Sequence, residues 1–327
     1  KDSSLILGID QGGTKTEAVI STVSGDIMGY GKAGGACYFY DGIDTAMEKI
    51  KDSVAKACKN SSITIDNISF AYAGISGINW DDEQVLITDT LSACLKIKNT
   101  TAVNDCVIAL RSGSGNPYRI VLCAGTEFNA AVKIPNKAEF LYNNYVSSHD
   151  MGGVGIGKRA LEAVFNADIG LGEKTALTEY LLQLFNEKNL NKLLFKYKRN
   201  NLSGSLKDVA FPLFKAAKEG DSVSLKIIKD FAVSISRYAV AGINKYNLFD
   251  KEIDVVLAGG IFKESFKLLE ETISSEIHSV CPKANIFKAK HKPVIGALLS
   301  TLDVIYNYNI PLHILNNIEN SINEFIS

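Results

Sequence analysis

The amino-acid sequence predicts an α/β protein made of two related domains, each with a mixed β-sheet covered by helices. Apolar strand patterns alternate with helical patterns along the first third of the chain. The same succession of strand, glycine-containing turn and strand then begins again at Arg119. With 327 residues, of which 46% are hydrophobic, the chain is long enough to bury two cores.

The first predicted domain covers residues 1–115 and contains three strands followed by an alternation of helices and strands. We expect strands near residues 4–10, 15–22, 26–31, 67–73 and 99–103, and helices near residues 43–59 and 81–95. A segment rich in glycine and serine, residues 112–119, then interrupts the pattern. We place the domain boundary there because this composition favours turns over helices and strands.

The second predicted domain covers residues 116–310 and repeats the opening of the first. Residues 119–134 predict a strand, a Gly-Thr turn and a second strand, and a third strand follows near residues 138–145. Helical patterns occupy most of the chain from Ile156 to about Asn247. The remaining expected elements are a strand with a Gly-Gly turn at 255–262, a strand at 284–288 and helices near 294–308 and 311–326.

Charge and composition exclude several classes of function. A net charge of -1 offers no positive surface for nucleic acid or for an anionic membrane. Because there is no signal-peptide pattern and no apolar run of about 20 residues, we expect a cytoplasmic protein that does not bind membranes. The 6 cysteines never have CxxC spacing and the 4 histidines are scattered, which predicts reduced thiols and no zinc or iron–sulfur site.

The clearest functional signal is an apolar strand that ends at a carboxylate, Asp10, and continues into Gly12, Gly13 and Thr14. This pattern predicts a β-hairpin whose turn binds phosphate, because glycine leaves backbone N–H groups accessible and threonine adds a hydroxyl donor. Asp10 is placed to hold a hydrated Mg²⁺ against phosphate oxygens. The spacing is neither that of a Walker A loop nor that of a GxGxxG turn, and a Gly-Gly turn without function is the alternative.

Three other loops also follow the carboxyl end of an apolar strand. They contain Asn104 and Asp105, Gly125 and Thr126, and Gly259 and Gly260. Ligands of open α/β sheets bind beyond the carboxyl ends of the strands, so we expect the four loops to line one site. Asp105 has two interpretations: it caps the helix that follows, or it is a general base for a hydroxyl nucleophile.

Blocks spread over nearly the whole sequence resemble, in the right order, those of the BadF/BadG/BcrA/BcrD ATPase family. The blocks are GIDQGGTKTEAV, VNDCVIAL, LCAGTEFNAAV, ALTEYLL, FPLFKAAKEGDSVSLKII, VVLAGGIFKES and KPVIGALLSTLD. The resemblance implies two ribonuclease H-like domains of the actin and sugar kinase type around a central ATP cleft. It also implies that the last helix, about residues 311–327, packs back on the first domain. The best-understood members of the family are N-acetylglucosamine kinases.

The resemblance assigns roles to individual residues. Asp10 would coordinate Mg²⁺ through water, Asp105 would be the catalytic base, and Gly259 and Gly260 would lie against adenosine. The complete set expected to bind ATP is Asp10, Gly12, Gly13, Thr14, Lys15, Thr16, Gly125, Thr126, Gly259 and Gly260. The set expected to bind the sugar is Tyr38, Ser76, Asp105, Thr126, Asn129 and Asp150, with Tyr40 as an alternative stacking residue.

The sequence also departs from the family pattern. Gln11 stands where members commonly have glycine, and Glu127 stands inside a motif that is commonly GTGS. The segment GGACYFYDG lacks the asparagine that sugar kinases carry, and HDMGG replaces a GDEGS stretch, which leaves Asp150 as its only acid. The ATP-binding part of the pattern is therefore better kept than the sugar-binding part. Two added carboxylates favour a sugar with a free amine, whereas the family favours an N-acetylated one.

These observations lead us to expect an ATP-dependent kinase for a hexose or an amino sugar similar to N-acetylglucosamine. One alternative is an ATPase activator of a 2-hydroxyacyl-CoA dehydratase, which needs paired cysteines for an iron–sulfur cluster. Cys106 and Cys123 do not lie in a cysteine-rich loop, which argues against it. A second alternative is a non-catalytic sensor of sugar or nucleotide. The expected partner is a small-molecule sugar, and the assembly is left open between a monomer and a homodimer.

Overall fold

The computed structural model describes residues 4–147, 151–263 and 266–325, and contacts between residues divide the chain into two compact units. The first unit consists of Lys1–Gly115 and Ala289–Ser327, and the second consists of Asn116–Lys288. The described strands are β1 (Leu5–Gln11), β2 (Lys15–Thr22), β3 (Ile27–Gly34), β4 (Ile68–Ile75), β5 (Asn99–Asn104), β6 (Arg119–Ala124), β7 (Phe128–Lys133), β8 (Phe140–Leu141), β9 (Asp254–Ala258) and β10 (Asn285–Lys288). The described α-helices are α1 (Tyr38–Asp41), α2 (Ile43–Ser61), α3 (Asp81–Leu95), α4 (Asp105–Gly113), α5 (Gly152–Asp168), α6 (Leu177–Leu184), α7 (Leu190–Lys198), α8 (Ala210–Lys218), α9 (Ser222–Tyr246), α10 (Lys267–His278), α11 (Pro293–Ile305) and α12 (Leu312–Phe325).

The first unit contains a 5-stranded mixed sheet in the order β3-β2-β1-β4-β5. Strands β1, β2 and β3 are antiparallel, whereas β4 and β5 run parallel to β1. Successive side chains of β1 point to opposite faces. Leu7 and Ile9 pack in a core with α2 and α3, and Ile6 packs in a second core with α11 and α12. Both faces of this sheet are therefore covered by helices.

Helix α11 packs closely on the first sheet and on α4 because of two glycines. A Cβ at Gly8 would lie 2.9 Å from the carbonyl oxygen of Val294, and a Cβ at Gly296 would lie 1.9 Å from that of Ile108. A bidentate ion pair between Arg111 of α4 and Asp303 of α11, at 2.6 and 3.1 Å, joins these two helices. The sequence predicts that residues 289–310 belong to the second domain, but this packing places them in the first unit.

The second unit repeats the topology, with a 5-stranded sheet in the order β10-β9-β6-β7-β8. Strands β6, β7 and β8 are antiparallel, and β9 and β10 run parallel to β6. The two-domain α/β plan expected from the sequence repeat is thereby confirmed. Strand β8 is shorter than expected, because the chain leaves the sheet after Leu141 and Tyr142 enters the core.

Helices α5 to α9 fill the region in which the sequence predicts a helical insertion. Helix α5 begins at Gly152, earlier than the expected Ile156. Phe128 of the sheet and Phe185 and Phe231 of the helical region are fully buried in one core, which joins the insertion to the second sheet. Among the helices that the structure describes, none combines the length and the apolar character needed to cross a membrane.

Candidate active site

The turn between β1 and β2 is an exposed loop that is braced on one side. The N–H of Gly12 donates a hydrogen bond to the carbonyl of Lys15 at 2.9 Å. Gly35 lies so close to the loop that a Cβ there would be 2.4 Å from the carbonyl carbon of Gly13 and from the amide nitrogen of Thr14. A Cβ on Gly13 itself would meet nothing within 4 Å. This combination of support and open space is what a loop needs to present its N–H groups to an anion.

Asp10 lies near the end of β1 and is only 7% exposed. It pairs with Glu17 on β2 and with Gly74 on β4. Burial, helped by the negative charges of Asp105 and Glu17 and opposed by Lys15, raises the pKa of Asp10 to about 7. Asp10 and Asp105 are therefore close enough to disfavour each other's charge, and a cation between them would relieve this.

Asp105 is the first residue of α4, and the residue before it, Asn104, is the N-cap. The Oδ1 of Asn104 accepts a hydrogen bond from the N–H of Cys106 at 2.9 Å, and its Nδ2 donates one to the carbonyl of Ile78 at 2.8 Å. The interpretation of Asp105 as the helix cap is therefore wrong. The half-buried Asp105 carboxylate stands at a helix N-terminus, where negative charge is favoured.

Gly74 brings the start of α4 close to the end of β4. A Cβ at Gly74 would lie 2.3 Å from the Cδ1 of Ile108 and 3.1 Å from the Cα of Asp105. At the same edge of the sheet, the N–H of Ser76 donates to the carbonyl of Gln11 at 2.9 Å. The first unit thus brings together the expected metal ligand, the expected base, Ser76 and the glycine loop.

Two expected contact residues of this unit lie in its interior instead. Thr16 is fully buried, and its hydroxyl donates to the carbonyl of Gly34 at 2.9 Å. Tyr38 is 9% exposed, and its hydroxyl donates to the carbonyl of Gly77 at 2.8 Å. These placements fit residues that brace the hairpin and its neighbours, not residues that contact a phosphate or stack on a sugar. Tyr40 is 67% exposed, so its ring is the one that can meet a ligand.

In the second unit, the turn between β6 and β7 rests on the start of α5. The N–H of Gly153 donates to the carbonyl of Gly125 at 2.8 Å, and the N–H of Val154 donates to the carbonyl of Thr126 at 3.0 Å. Gly152 has a φ of +70°, and a Cβ there would lie 2.5 Å from the carbonyl carbon of Glu127. Thr126 is left exposed at the end of a turn whose backbone is fixed.

The two glycines after β9 have different surroundings. Gly259 has a φ of +105°, and a Cβ there would lie 2.4 Å from the carbonyl oxygen of Ala124. A Cβ at Gly260 would meet nothing within 4 Å. Gly259 therefore permits the close approach of two backbone segments, whereas Gly260 offers an open stretch of backbone to a ligand.

The other expected sugar contacts are less well placed or lie outside the described residues. Asn129 is half-buried on β7 opposite Cys123, and its Oδ1 accepts from the N–H of Ala130 at 2.7 Å. Asp150 belongs to a segment that lies outside the described residues.

A cavity of about 800 Å³ lies in the second unit beside β8 and α9. Half of its lining residues are aromatic, among them Tyr142 and Tyr238, and Arg237 also lines it. Among the residues that the structure describes, none of those expected to bind ATP or sugar lines it. The candidate site is therefore defined by the loops described above and not by the size of a cavity.

A buried acid, Glu17, escaped the sequence-based prediction. Glu17 on β2 is 1% exposed and accepts hydrogen bonds from Lys15 and from the hydroxyl of Tyr30. The Nζ of Lys292 lies 3.6 Å from it. The spacing of two residues between Lys15 and Glu17 places both on one face of the predicted strand, so part of this cluster was visible in the sequence. Its contacts with Tyr30 and Lys292 depend on the fold.

The cysteines do not support the electron-transfer alternative. Cys106 is buried in the first unit, and Cys123 is half-buried in the second. A cluster shared between subunits needs thiols at an accessible surface. None of the cysteines in the described residues is exposed.

Comparison with known proteins identifies relatives over almost the whole chain. Residues 7–301 match the model of the BadF/BadG/BcrA/BcrD ATPase family. The N-acetyl-D-glucosamine kinase of Dictyostelium discoideum is 27% identical over 325 residues, which cover 91% of this chain and 98% of that protein. The N-acetylmuramic acid/N-acetylglucosamine kinase of Clostridium acetobutylicum is 21% identical over 297 residues, which cover 90% and 97% of the two chains.

A solved structure has the same fold. The ROK family glucokinase from Streptomyces griseus, in complex with glucose and AMPPNP, aligns with a TM-score of 0.60 at 17% identity, covering 90% of this chain and 99% of that one. Together with the two mixed sheets, this likeness confirms the expected fold class of α/β domains of the actin and sugar kinase type.

Proposed function

The chain belongs to the BadF/BadG/BcrA/BcrD ATPase family, and we propose that it is an ATP-dependent sugar kinase. It transfers the γ-phosphoryl group of ATP to a hydroxyl of a hexose or amino sugar. The observation that carries the proposal is the pair of carboxylates, Asp10 and Asp105, next to a glycine loop that is open on one side. A carboxylate for a cation, a carboxylate for a proton and a phosphate loop are the parts that phosphoryl transfer requires.

In this reaction Asp105 acts as the general base. Because Asn104 caps the N-terminus of α4, the Asp105 carboxylate is not needed as the helix cap. It accepts the proton of the sugar hydroxyl while the hydroxyl oxygen bonds to the γ-phosphorus and the bond to the leaving oxygen of ADP breaks. The position at the N-terminus of α4 favours the ionised form that a base requires.

Asp10 would hold Mg²⁺ in this proposal. The residues fit the ion, because Mg²⁺ takes oxygen ligands and is commonly held by one or two carboxylates together with substrate phosphates. Burial and the negative charge of Asp105 raise the pKa of Asp10, so a bound cation would favour its ionised form. When bound, Mg²⁺ neutralises charge on the phosphates.

Each unit, taken by itself, has loops that we assign to the nucleotide. In the first unit, the N–H groups of Gly13 and Thr14 and the ammonium of Lys15 contact phosphates, whereas the N–H of Gly12 closes the turn by donating to the carbonyl of Lys15. In the second unit, the turn of Gly125 and Thr126 has the same role. Gly260 lies against adenosine, which is consistent with the open space beside its backbone. Gly259 serves the fold instead, because its missing side chain accommodates Ala124.

The substrate we propose is an amino sugar of the N-acetylglucosamine type. Two relatives that match over nearly their full length are kinases of N-acetylglucosamine, and one of them is also a kinase of N-acetylmuramic acid. In this chain Ser76, Thr126 and Asn129 supply hydroxyl and amide groups for the sugar. Glu127, next to Thr126, adds a negative charge that favours a sugar with a free amine.

An ADP-release assay with Mg-ATP tests this function across a panel of hexoses, amino sugars and N-acetylated sugars. We expect ADP release that depends on one of these sugars, and a phosphorylated sugar among the products. The Asp105→Asn variant is the matched control, since it keeps the size of the side chain and removes the base. ATP binding without transfer to any sugar would contradict a kinase and favour a sensor of nucleotide or sugar.

A further inference from the structure

We propose that Glu17 is a positioning residue for ATP, which holds the ammonium group of Lys15 beside Asp10 on one face of the first sheet. This inference rests on the proposed function, because it assigns Lys15 to the nucleotide phosphates. It gives a role to a buried acid that belongs to neither the expected ATP set nor the expected sugar set.

The carboxylate of Glu17 is buried, and burying a charge costs free energy. Glu17 is 1% exposed, and a buried carboxylate is strongly unfavourable unless it is paired and hydrogen-bonded. Lys15 and the hydroxyl of Tyr30 donate hydrogen bonds to the Glu17 carboxylate, and the Nζ of Lys292 lies 3.6 Å from it. Loss of one of these partners would leave the buried carboxylate less well compensated.

Glu17 shares one face of the sheet with Asp10 and Lys15. Asp10 and Glu17 are directly opposite each other on β1 and β2, so their side chains share one face of the sheet. Lys15 lies two residues before Glu17 on the same strand and therefore shares that face. The ammonium of Lys15 is thus held near the expected metal ligand, at the end of the glycine loop.

The two carboxylate oxygens of Glu17 have separate partners. Its Oε2 accepts from Lys15, whereas its Oε1 accepts from the hydroxyl of Tyr30 at 2.5 Å and lies 3.6 Å from the Nζ of Lys292. Tyr30 is on β3, and Lys292 immediately precedes α11. These contacts fix the carboxylate on one side and leave the other side for Lys15. A lysine side chain has a long flexible stem, so a fixed anchor reduces the entropy lost when its ammonium binds a phosphate.

A double-mutant cycle with Glu17→Gln and Lys15→Met tests the proposal. Glutamine keeps the volume of Glu17, but one of its two terminal atoms is a donor, so it cannot accept from both Lys15 and Tyr30. We expect each single variant to lower kcat/KM for ATP by about tenfold, since small misplacements of binding groups cost up to about a hundredfold. If Glu17 acts through Lys15, the double variant loses no more than Lys15→Met alone. Losses that multiply would show that Glu17 acts independently and would overturn the proposal.

Three further measurements make this test decisive. Glu48→Gln makes the same charge change at an exposed position of α2 and should leave ATP affinity unchanged. The KM for the sugar should not change in Glu17→Gln, whereas a general loss of structure would alter it. If Glu17→Gln does not fold, thermal unfolding of Lys15→Met without ATP decides: we expect a lower Tm than that of the parent, because Glu17 loses a partner. An unchanged Tm would overturn the proposal.

The same cycle separates this inference from the proposed function. ATP affinity, measured by calorimetry without sugar, gives the coupling between Glu17 and Lys15 even if no sugar is phosphorylated. If the parent protein binds Mg-ATP but phosphorylates no sugar, the proposal of a sugar kinase is wrong. The ATP affinities of the single and double variants then still decide the role of Glu17. A parent protein that does not bind Mg-ATP would overturn both.

Discussion

Asn104 caps helix α4 by accepting, through its Oδ1, a hydrogen bond from the N–H of Cys106 at 2.9 Å. The neighbouring Asp105 is the first residue inside the helix. Two adjacent residues that both favour the cap position thereby differ in position: Asn104 caps the N-terminus of α4, and Asp105 is inside its first turn. The two positions therefore predict different consequences of substitution.

Replacing Asp105 with Asn should lower turnover by about 10² or more, because positioned acid–base groups contribute about 10² to 10⁴. ATP affinity and Tm should remain close to those of the parent. Asn104→Ala is the structural counterpart and should lower the free energy of unfolding by about 1 kcal/mol through loss of the cap. Steady-state kinetics, calorimetry with ATP and thermal unfolding of both variants measure these effects. Turnover of Asp105→Asn within a few-fold of the parent would remove Asp105 from the mechanism.

The sequence predicted the strand–turn–strand repeats and the loops at strand ends well, because both follow from local apolar periodicity and glycine placement. It could not decide between Asn104 and Asp105 as the cap, since both have suitable side chains and the end of β5 decides. It placed Thr16 and Tyr38 among the ligand contacts because they are near the glycine motifs in sequence. Their burial is a consequence of tertiary packing, which periodicity does not reveal.

A bulky residue at Gly260 should block the nucleotide without unfolding the protein. A Cβ at Gly260 would meet nothing within 4 Å, so Gly260→Val should keep the parental Tm and weaken ATP binding more than tenfold, as a steric clash with adenosine would require. Gly259→Val should instead destabilise the fold, because Gly259 has a φ of +105° and its Cβ would lie 2.4 Å from the carbonyl oxygen of Ala124. Gly204→Val, whose Cβ would lie 3.6 Å from the ring of Phe185, is the control. Unchanged ATP affinity in a folded Gly260→Val would place adenosine elsewhere.

Two adjacent glycines at the end of β3, Gly34 and Gly35, offer a matched pair for testing the phosphate loop. A Cβ at Gly35 would lie 2.4 Å from the backbone of Gly13 and Thr14, whereas the nearest atom to a Cβ at Gly34 is the Cε of Lys49 at 3.8 Å. Gly35→Ala should therefore displace the loop and raise KM for ATP several-fold, and Gly34→Ala should not. Equal KM values for the two variants would show that the loop does not bind phosphate in the conformation described.

These two glycine pairs also show why the sequence alone was insufficient. Gly35 approaches a loop about 20 positions earlier, and Gly259 approaches a strand that lies more than 100 positions earlier. Each glycine is required by a neighbour that only the fold supplies. Within each pair the two glycines look alike in the sequence, so the sequence does not show which of them the fold requires.

The raised pKa of Asp10 predicts how stability depends on pH in the metal-free protein. Burial first, and then the charge of Asp105, raise the pKa of Asp10 from 3.8 to about 7. Between these values the folded protein binds a proton that the unfolded chain releases, so the free energy of unfolding falls as the pH rises through this window. Asp10→Asn removes this charge and should raise Tm relative to the parent at pH 8 but not at pH 4, with EDTA present. Mg-ATP-dependent activity should be lost in the same variant. An equal difference in Tm at both pH values would show that the charge of Asp10 is not the cause.

Glu127 is the residue whose charge most directly tests the choice of sugar. It follows Thr126 in an exposed turn, and its backbone is fixed against Gly152, so a change of side chain should not move the turn. A protonated amine is attracted to a carboxylate, whereas an acetamido group carries no charge and gains nothing from it. Glu127→Gln keeps the size of the side chain and should shift the ratio of kcat/KM values several-fold from glucosamine toward N-acetylglucosamine, and Glu127→Gly should shift it in the same direction. A ratio that stays the same in both variants would mean that Glu127 does not contact the amino group, and the preference would then depend on residues such as Asn129.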